Sequence, residues 1–384
     1  MNTLRHSKRT ATGGSGGAGG ERGLTLQHVA DHNSRVTLEA IRRDGPLTRK
    51  ELALRNGLTP PGVTNIVRKL SDEGLIVSQQ RTLPNGRPGS AEFALRAQGA
   101  FSVGIRVAAD HGEAVLLDLA GAVWKSRHFA MPGDAATAVC ASVRDLLGAV
   151  PSGSRIAGIG LALDSSTAIA LDTIETAFEG TRVLVDDECA AAVLSERVLG
   201  VGAVEGGAMY VLIGESVRAG LLLRDRPFSG VHGRAGQIGK LRTGNDHISL
   251  DQAAGLSGLR SAIGGAEFAR IAAGGALTDS PALAAWVQTA ARHLLDAIVA
   301  TAGFLAPGVV IVGGDLPPQI NALVVKQILS LSAEYAKRPF SSPWMPDIRG
   351  AKFEHAGVAV GAALLPFFET LLPSPFHGDP APAP

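Results

Sequence analysis

The residues with the clearest chemical purpose lie in PLTRKELALRNGLTPPGVTNIVRKLSDEGLIV, residues 46–77. Thr48 and Glu51 stand at capping-box spacing and open a helix. Asn56–Gly57 stop it, and Thr59 with Pro60 starts a second helix. Val63, Ile66, Val67 and Leu70 recur at i, i+3, i+4 and i+7, the spacing of one buried stripe. That stripe leaves Pro61, Thr64, Asn65, Arg68 and Lys69 on the wet face. Such side chains reach thymine methyls, base edges and phosphates. Pro61, Thr64 and Asn65 suit base discrimination, whereas Arg68 and Lys69 supply phosphate affinity. Thr48 and Thr59 place hydroxyls at the two helix starts, in the same DNA-facing set. Arg81 and Arg87 flank two short predicted strands around Asn85–Gly86, from which a basic side chain can enter the minor groove. The whole is a winged helix-turn-helix pattern whose second helix enters the major groove. A small helical module that binds protein is the alternative reading of the same pattern.

Other candidates carry less. The N-terminal glycines spell G-x-G-x-x-G (Gly14, Gly16, Gly19) and G-x-S-x-G (Gly13, Ser15, Gly17), but neither follows a strand or opens a helix, so neither has its mechanism. The only cysteines, Cys140 and Cys189, exclude a disulfide framework and a multi-cysteine zinc ribbon. Cys189 reads as a small buried apolar residue. Asp186–Asp187 are adjacent at a predicted strand end, where neighbours point opposite ways, which argues against a paired acid–base site. His232 and His247, with no cysteine beside them, read as surface or hydrogen-bonding residues.

The positioning elements change character along the chain. Residues 1–23 form a Gly-rich tail expected to be disordered, and residues 24–96 read as helices followed by a hairpin. A helix from about Asn33 to Arg43 contributes Val36, Ala40 and Ile41 to the small core. Residues 100–372 read as α/β: SVGIRVA and EAVLLDLAG as paired strands, then a helix opened by Asp134, the strands RIAGIGLAL and RVLVDD, and the helix ECAAAVLSERVLG. After them come AMYVLIG and AGLLLRD, a long helix in SPALAAWVQTAARHLLDAIVATAGFLAP, the strand VVIVGGD and a terminal helix near VAVGAALLPFFETLL. Strands alternating with helices indicate an open α/β architecture. Residues 373–384 form a Pro-rich tail.

Composition agrees. The chain has 384 residues, 45% hydrophobic and 18% charged, enough for two or three domains. No uninterrupted apolar run reaches the ~18 residues of a membrane span, and no apolar h-region follows the N-terminal Arg5, Lys8 and Arg9. A cytoplasmic protein is expected. Its net charge of +1 hides an asymmetry: residues 1–96 hold 15 Lys+Arg and 8 Asp+Glu, and the rest hold 36 − 15 = 21 and 35 − 8 = 27. A basic head on a mildly acidic body is the balance of a nucleic-acid reader fused to a sensing or oligomerising domain.

The order of parts resembles the ROK family (repressors, open reading frames and sugar kinases), in its repressor branch. GVHGRAGQIGK, residues 230–240, is similar to the family's G-x-x-G-x-A-G-E-I-G-H. VLVDDECAAAVLSE resembles V-x-x-N-D-A-N-A-A-A-x-x-E, ISLDQAAG resembles C-L-E-x-x-A-S, and PGVVIVGGDL resembles the late strand with its Gly pair near the nucleotide site. The resemblance runs over about residues 30–370. It implies a two-lobed, actin-like, sugar-kinase-like body. It also places a sugar-type ligand against Asp186, Asp187, His232, Gln237 and Asp251, with Asp187 at the position of the kinases' catalytic Asp.

The departures bear on activity. The kinases' early strand ends D-x-G-G-T, whereas GIRVAAD puts Arg106 in place of the Asp and Ala108–Ala109 in place of the glycines. Phosphate loops need unhindered backbone N–H groups. The second loop, G-T-G-I-G-x-G in the family, reads GESVRAG and keeps only Gly214 and Gly220. Asp186 replaces the sugar-binding Asn, Gln237 and Asp251 replace glutamates, and the stretch between LALD and RVLVDD is short. Lys240 and Ser249 stand where the zinc-binding His and a Cys would be, and neither can ligate Zn²⁺ as those do.

The expectation is a catalytically inactive regulator with no cofactor and no metal. It would bind a double-stranded DNA operator as a homodimer or higher homo-oligomer, respond to a sugar or sugar derivative and act on carbohydrate-related genes as a repressor. Two dimer-related helices one turn apart imply a pseudo-palindromic site. A kinase that retains ATP-dependent activity and a ligand-free DNA-binding dimer are the alternatives.

Overall fold

The computed structural model describes residues 26–82, 87–131, 133–164, 167–224, 226–244, 248–277, 280–335, 345–353 and 356–374. The Gly-rich tail and its glycine motifs, the Asn85–Gly86 turn, His247 and most of the Pro-rich tail lie outside them.

The first unit contains α1 (Leu26–Asp44), β1 (Leu47–Thr48), α2 (Arg49–Asn56), α3 (Pro60–Asp72), β2 (Ile76–Thr82) and β3 (Pro88–Leu95). Its sheet has the order β1-β3-β2, with Leu47 opposite Phe93. Local chemistry explains the helix ends. The Thr48 hydroxyl accepts from the Glu51 N–H and the Glu51 carboxylate accepts from the Thr48 N–H. Gly57 takes the left-handed conformation, φ 62°, that ends α2, a geometry costly for a residue with a Cβ. Thr59 caps α3, and Val63, Val67 and Leu70 are its buried face. The first helix is longer than the sequence suggests; Leu38 and Ile41 are its fully buried apolar residues, Ala40 packs against the same cluster as expected, and Val36 is only half-buried.

Two α/β lobes follow. The first holds β4 (Ala100–Val107), β5 (His111–Asp118), β6 (Val123–Ala130), α4 (Ala135–Leu147), β7 (Arg155–Leu163), α5 (Leu171–Ala177), β8 (Val183–Asp187) and α6 (Glu188–Leu199), with strand order β6-β5-β4-β7-β8. The sequence reading has no counterpart of β6. It is an edge strand whose Lys125 and Arg127 reach Asp145 on α4, and such charges blur an apolar alternation while protecting an exposed edge.

The second lobe holds β9 (Ala208–Ile213), β10 (Val217–Leu223), β11 (Arg226–Pro227), α7 (Leu250–Ala254), α8 (Leu256–Ile263), α9 (Gly265–Ala272), α10 (Pro281–Leu305), β12 (Val309–Gly314), α11 (Pro318–Tyr335) and β13 (Asp347–Gly350). Its order is β11-β10-β9-β12-β13, and β9 and β12 are buried along their whole length.

The chain then returns to the first lobe as α12 (Gly357–Thr370), which lies against β4, β7 and α6. Glycine makes that approach possible: a Cβ on Gly160 would run into the Ala362 carbonyl oxygen, and one on Gly104 into that of Ala359. The winged helical unit is seated on this helix. Arg35 of α1 donates to the carbonyl oxygens of Phe368 at 3.3 Å and Glu369 at 2.9 Å. One apolar cluster runs from Val63, Val67 and Leu75 through Leu119 to Leu364 and Phe367. Among the described residues, no helix is long and apolar enough to cross a membrane.

Candidate nucleic-acid interface and interlobe cleft

The packing of α3 decides which of its side chains are offered outward. Because Val63, Val67 and Leu70 point into the core, Pro61, Thr64, Asn65, Arg68 and Lys69 are all exposed on the other side. They are loosely pre-positioned. The Thr64 hydroxyl donates to the Pro60 carbonyl at 2.9 Å, an Arg68 N–H donates to Asn65 Oδ1 at 3.3 Å, and Lys69 lies 3.4 Å from Asp31. Exposed contacts of this kind contribute little and exchange readily for phosphate or base partners.

Three of the other predicted residues have different employment. Thr48 is buried and its hydroxyl belongs to the capping box. Thr59 accepts the Gly62 N–H. Arg81 is not a free wing residue: it pairs with Glu51 at 3.0 Å and Glu92 at 3.1 Å, tying the hairpin to α2. The two Thr48 hydrogen bonds and Arg81 together hold the Glu51 carboxyl down to about 2. Arg87 is exposed at the start of the second wing strand. Lys50, which the sequence reading did not single out, is exposed in the first turn of α2, two residues after the capping Thr48.

A cavity of about 360 Å³ separates the lobes, and two arginines cross it in opposite directions. Arg106 at the end of β4 is 2% exposed. Its Nε lies 3.1 Å from Glu188 Oε2 and its Nη2 3.0 Å from Asp315 Oδ2, with Nη1 on the other Asp315 oxygen. Arg218 of β10 comes from the second lobe to the first, 3.0 Å from Asp164 and 3.9 Å from Asp187, and also meets Glu188. Burial alone works against the Arg106 charge, but the Asp315 carboxylate outweighs it and raises the guanidinium pKa. Glu113 stands opposite Arg106 in the β4–β5 register. It is 5% exposed, and burial pushes its carboxyl up to about 7. Apart from Arg106, this constellation was not anticipated. Its signal was charged letters inside apolar strand runs, as in GIRVA and VRAG.

A second cavity, of about 650 Å³, lies beside α6 and α12. Of the five predicted ligand residues, Asp186 and Asp187 line it. Asp187 caps α6, accepting from the N–H groups of Cys189 at 2.8 Å and Ala190 at 3.3 Å. Asp186 accepts from the Asp187 N–H at 2.8 Å, and burial raises its pKa. Gly233 and Ala235 also line the cavity, and His232, exposed at φ 54°, and Gln237 lie on the same loop without lining it. Asp251 is turned inward, where it accepts from the Val217 N–H at 2.7 Å and pairs with Lys240 at 2.8 Å. The structure thus brings two of the five together at this cavity and gives Asp251 partners within the second lobe.

These features define a winged helix-turn-helix joined to a two-lobed kinase-like body. Residues 31–77 match a winged helix-turn-helix DNA-binding model, and residues 169–367 match the ROK family. The chain belongs to the ROK family. Among its relatives, the uncharacterized protein y4fQ of Sinorhizobium fredii (strain NBRC 101917 / NGR234) is 29% identical over 367 residues, covering 88% of this chain and 91% of that one. The xylose repressor of Bacillus spizizenii is 22% identical over 242 residues, covering 57% of this chain and 60% of that one. The fold is shared with a ROK family transcriptional regulator, a homolog of the E. coli MLC protein, at TM-score 0.66 and 19% identity, over 88% of this chain and 96% of the other. It is shared also with the ROK family glucokinase of Streptomyces griseus in complex with glucose and AMPPNP, at TM-score 0.55 and 18% identity, over 69% and 98%.

Proposed function

We propose that the protein is a sequence-specific DNA-binding transcriptional regulator, a repressor of carbohydrate-related genes. Its kinase-like body dimerises, senses a sugar or sugar derivative and transfers no phosphate. The exposed row Pro61, Thr64, Asn65, Arg68 and Lys69 on a rigidly packed α3 carries this reading. Five groups suited to bases and phosphates share one wet face, and the opposite face is fixed in the core. The repressor name of the Bacillus relative supports the sign of regulation and the sugar class.

The kinase alternative is disfavoured by Arg106. The position that the family resemblance gives to the kinases' Asp holds a buried guanidinium already bonded to Glu188 and Asp315. Neither phosphate loop keeps its full set of glycines. ATP hydrolysis by the purified chain, with or without sugar, is expected to stay at background.

The DNA reading is tested by genomic footprinting followed by binding of the recovered sites. Asn65→Ala is expected to weaken binding to the best site by about 1–3 kcal/mol, as for loss of one bidentate base contact. It should leave nonspecific binding nearly unchanged. Equal loss on every DNA sequence would remove Asn65 from base readout.

The body has a short path to the reader. Phe368 and Glu369 line the second cavity and also hold Arg35 of α1 through their carbonyl oxygens. A ligand that shifts the end of α12 therefore moves α1. Arg35→Ala is expected to remove most of an effector's influence on operator affinity, a coupling of ~1–3 kcal/mol in typical cases, while effector binding itself persists. Titrations of operator with and without effector measure it, and an undiminished response would place the coupling elsewhere.

A further inference from the structure

The interlobe cavity has more acid than its own arginines neutralise. Asp110, Glu113, Asp164, Glu188, Glu215 and Asp315 face three arginines across it. Every arginine is already engaged. Arg106 holds Glu188 and Asp315, Arg218 holds Asp164 and Glu188, and Arg260 holds Glu215 while stacking 4.9 Å from the Phe268 ring centroid. Asp110 is answered by His111 at 2.7 Å.

Glu113 is the carboxylate without a sufficient answer. It is 5% exposed and lines the cavity. Among the described residues, its Oε1 has only the exposed His128 imidazole, 3.4 Å away, and its Oε2 is buried with no hydrogen-bond partner. A buried acceptor left without a donor is costly, more so when charged. We propose that this cavity is a binding site for a small organic cation, an amine-bearing molecule whose ammonium group donates to the Glu113 carboxylate, which turns to meet it.

The surroundings favour that class over others. A nucleotide would bring several negative charges into a cavity with an excess of carboxylates. Among the described residues, no group of three His, Cys, Asp or Glu side chains is placed to hold a metal ion. Leu256, Phe268, Ala272 and Pro317 offer the carbon body of an amine an apolar wall. This site goes beyond the regulator reading and does not depend on it.

Calorimetry of the full chain, without DNA, tests the site independently of any operator. Putrescine and glucosamine serve as probes, with butanediol and glucose as their uncharged counterparts and ATP as the anionic control. The two amines also separate a polyamine-like ligand from an amino-sugar-like one. At about pH 8 one amine or both should bind, and Glu113→Gln should weaken that binding about tenfold or more, the scale of a lost charged hydrogen bond. At about pH 6, where Glu113 keeps its proton, wild-type binding should weaken similarly. The groups facing Glu113 are Arg106 from β4, His111 from its own strand, His128 from β6 and Asp315 after β12. Absence of binding by both amines, an unchanged affinity in Glu113→Gln, or counterparts that bind as tightly as the amines overturns the proposal. The comparison of amine with uncharged counterpart uses the wild-type chain, so it stands even if the variant folds poorly.

Discussion

Arg106→Ala is expected to lower folding stability by about 3–5 kcal/mol, the usual cost of removing one partner from a buried ion pair. The guanidinium is 2% exposed and serves two carboxylates, Glu188 and Asp315. Its removal leaves both acids in the cleft with one arginine, Arg218, which reaches Glu188 but is not bonded to Asp315. Most of the cost is the desolvation of the abandoned acids rather than the intrinsic worth of the pair. A second change, Asp315→Asn on the Arg106→Ala background, should therefore recover part of the loss. Urea unfolding of the single and double variants measures both quantities. A loss below about 1 kcal/mol is the value of a solvated surface pair and would show that water already reaches these groups. Arg106 and Asp315 also belong to opposite lobes, so the variant should loosen the cleft, seen as faster amide exchange in β4 and after β12.

Glu113→Gln is expected to stabilise the protein at high pH and not at low pH. The folded carboxyl titrates near 7, against an ordinary value of 4.5. Below the ordinary value both folded and unfolded chains hold the proton, so glutamate and glutamine are nearly equivalent. As pH rises from there, the unfolded chain releases its proton first, and each further unit costs the folded state about 1.4 kcal/mol. The cost stops growing once pH passes the folded value of about 7. The wild-type penalty above neutrality is then ~3 kcal/mol, an upper figure because water and side-chain adjustment relieve buried charges. The variant minus wild-type difference in unfolding free energy should rise between about pH 4.5 and pH 7 and then level off. A flat difference near zero would mean that Glu113 finds a donor in the folded chain. A bound organic cation should also stabilise the wild type most above neutrality and the variant hardly at all.

Much of the reader was legible from residues 46–77. The Thr48–Glu51 capping box, the Thr59 cap, the Asn56–Gly57 stop and the apolar stripe on α3 are short-range devices, set by neighbours one to four positions away. The exposed side of α3 therefore followed from the stripe. Even there, local logic could not assign Arg81, because its partners Glu51 and Glu92 are brought to it by the folding of the wing onto α2. In the body, the alternation of β and α elements and the family's spaced glycines indicated two lobes. The edge strand β6 escaped because its charges serve α4 and solvent rather than an apolar face.

By itself the sequence determined the order of winged helix and α/β body, most of the body's strands and the exposed side of α3. These rest on residue identity and short periodicity, whereas the reading of the phosphate-loop and zinc-ligand positions rests on the family resemblance. Only the tertiary structure decided where the charges go. Arg106 meets Asp315 across 209 positions of chain, and Arg35 meets Phe368 across 333. The unanswered oxygen of Glu113 emerges only when β4, β5 and β6 are set in register. Pairing at such separation depends on which lobe faces which and on how closely α12 can approach its glycines, and no local pattern in the chain encodes either.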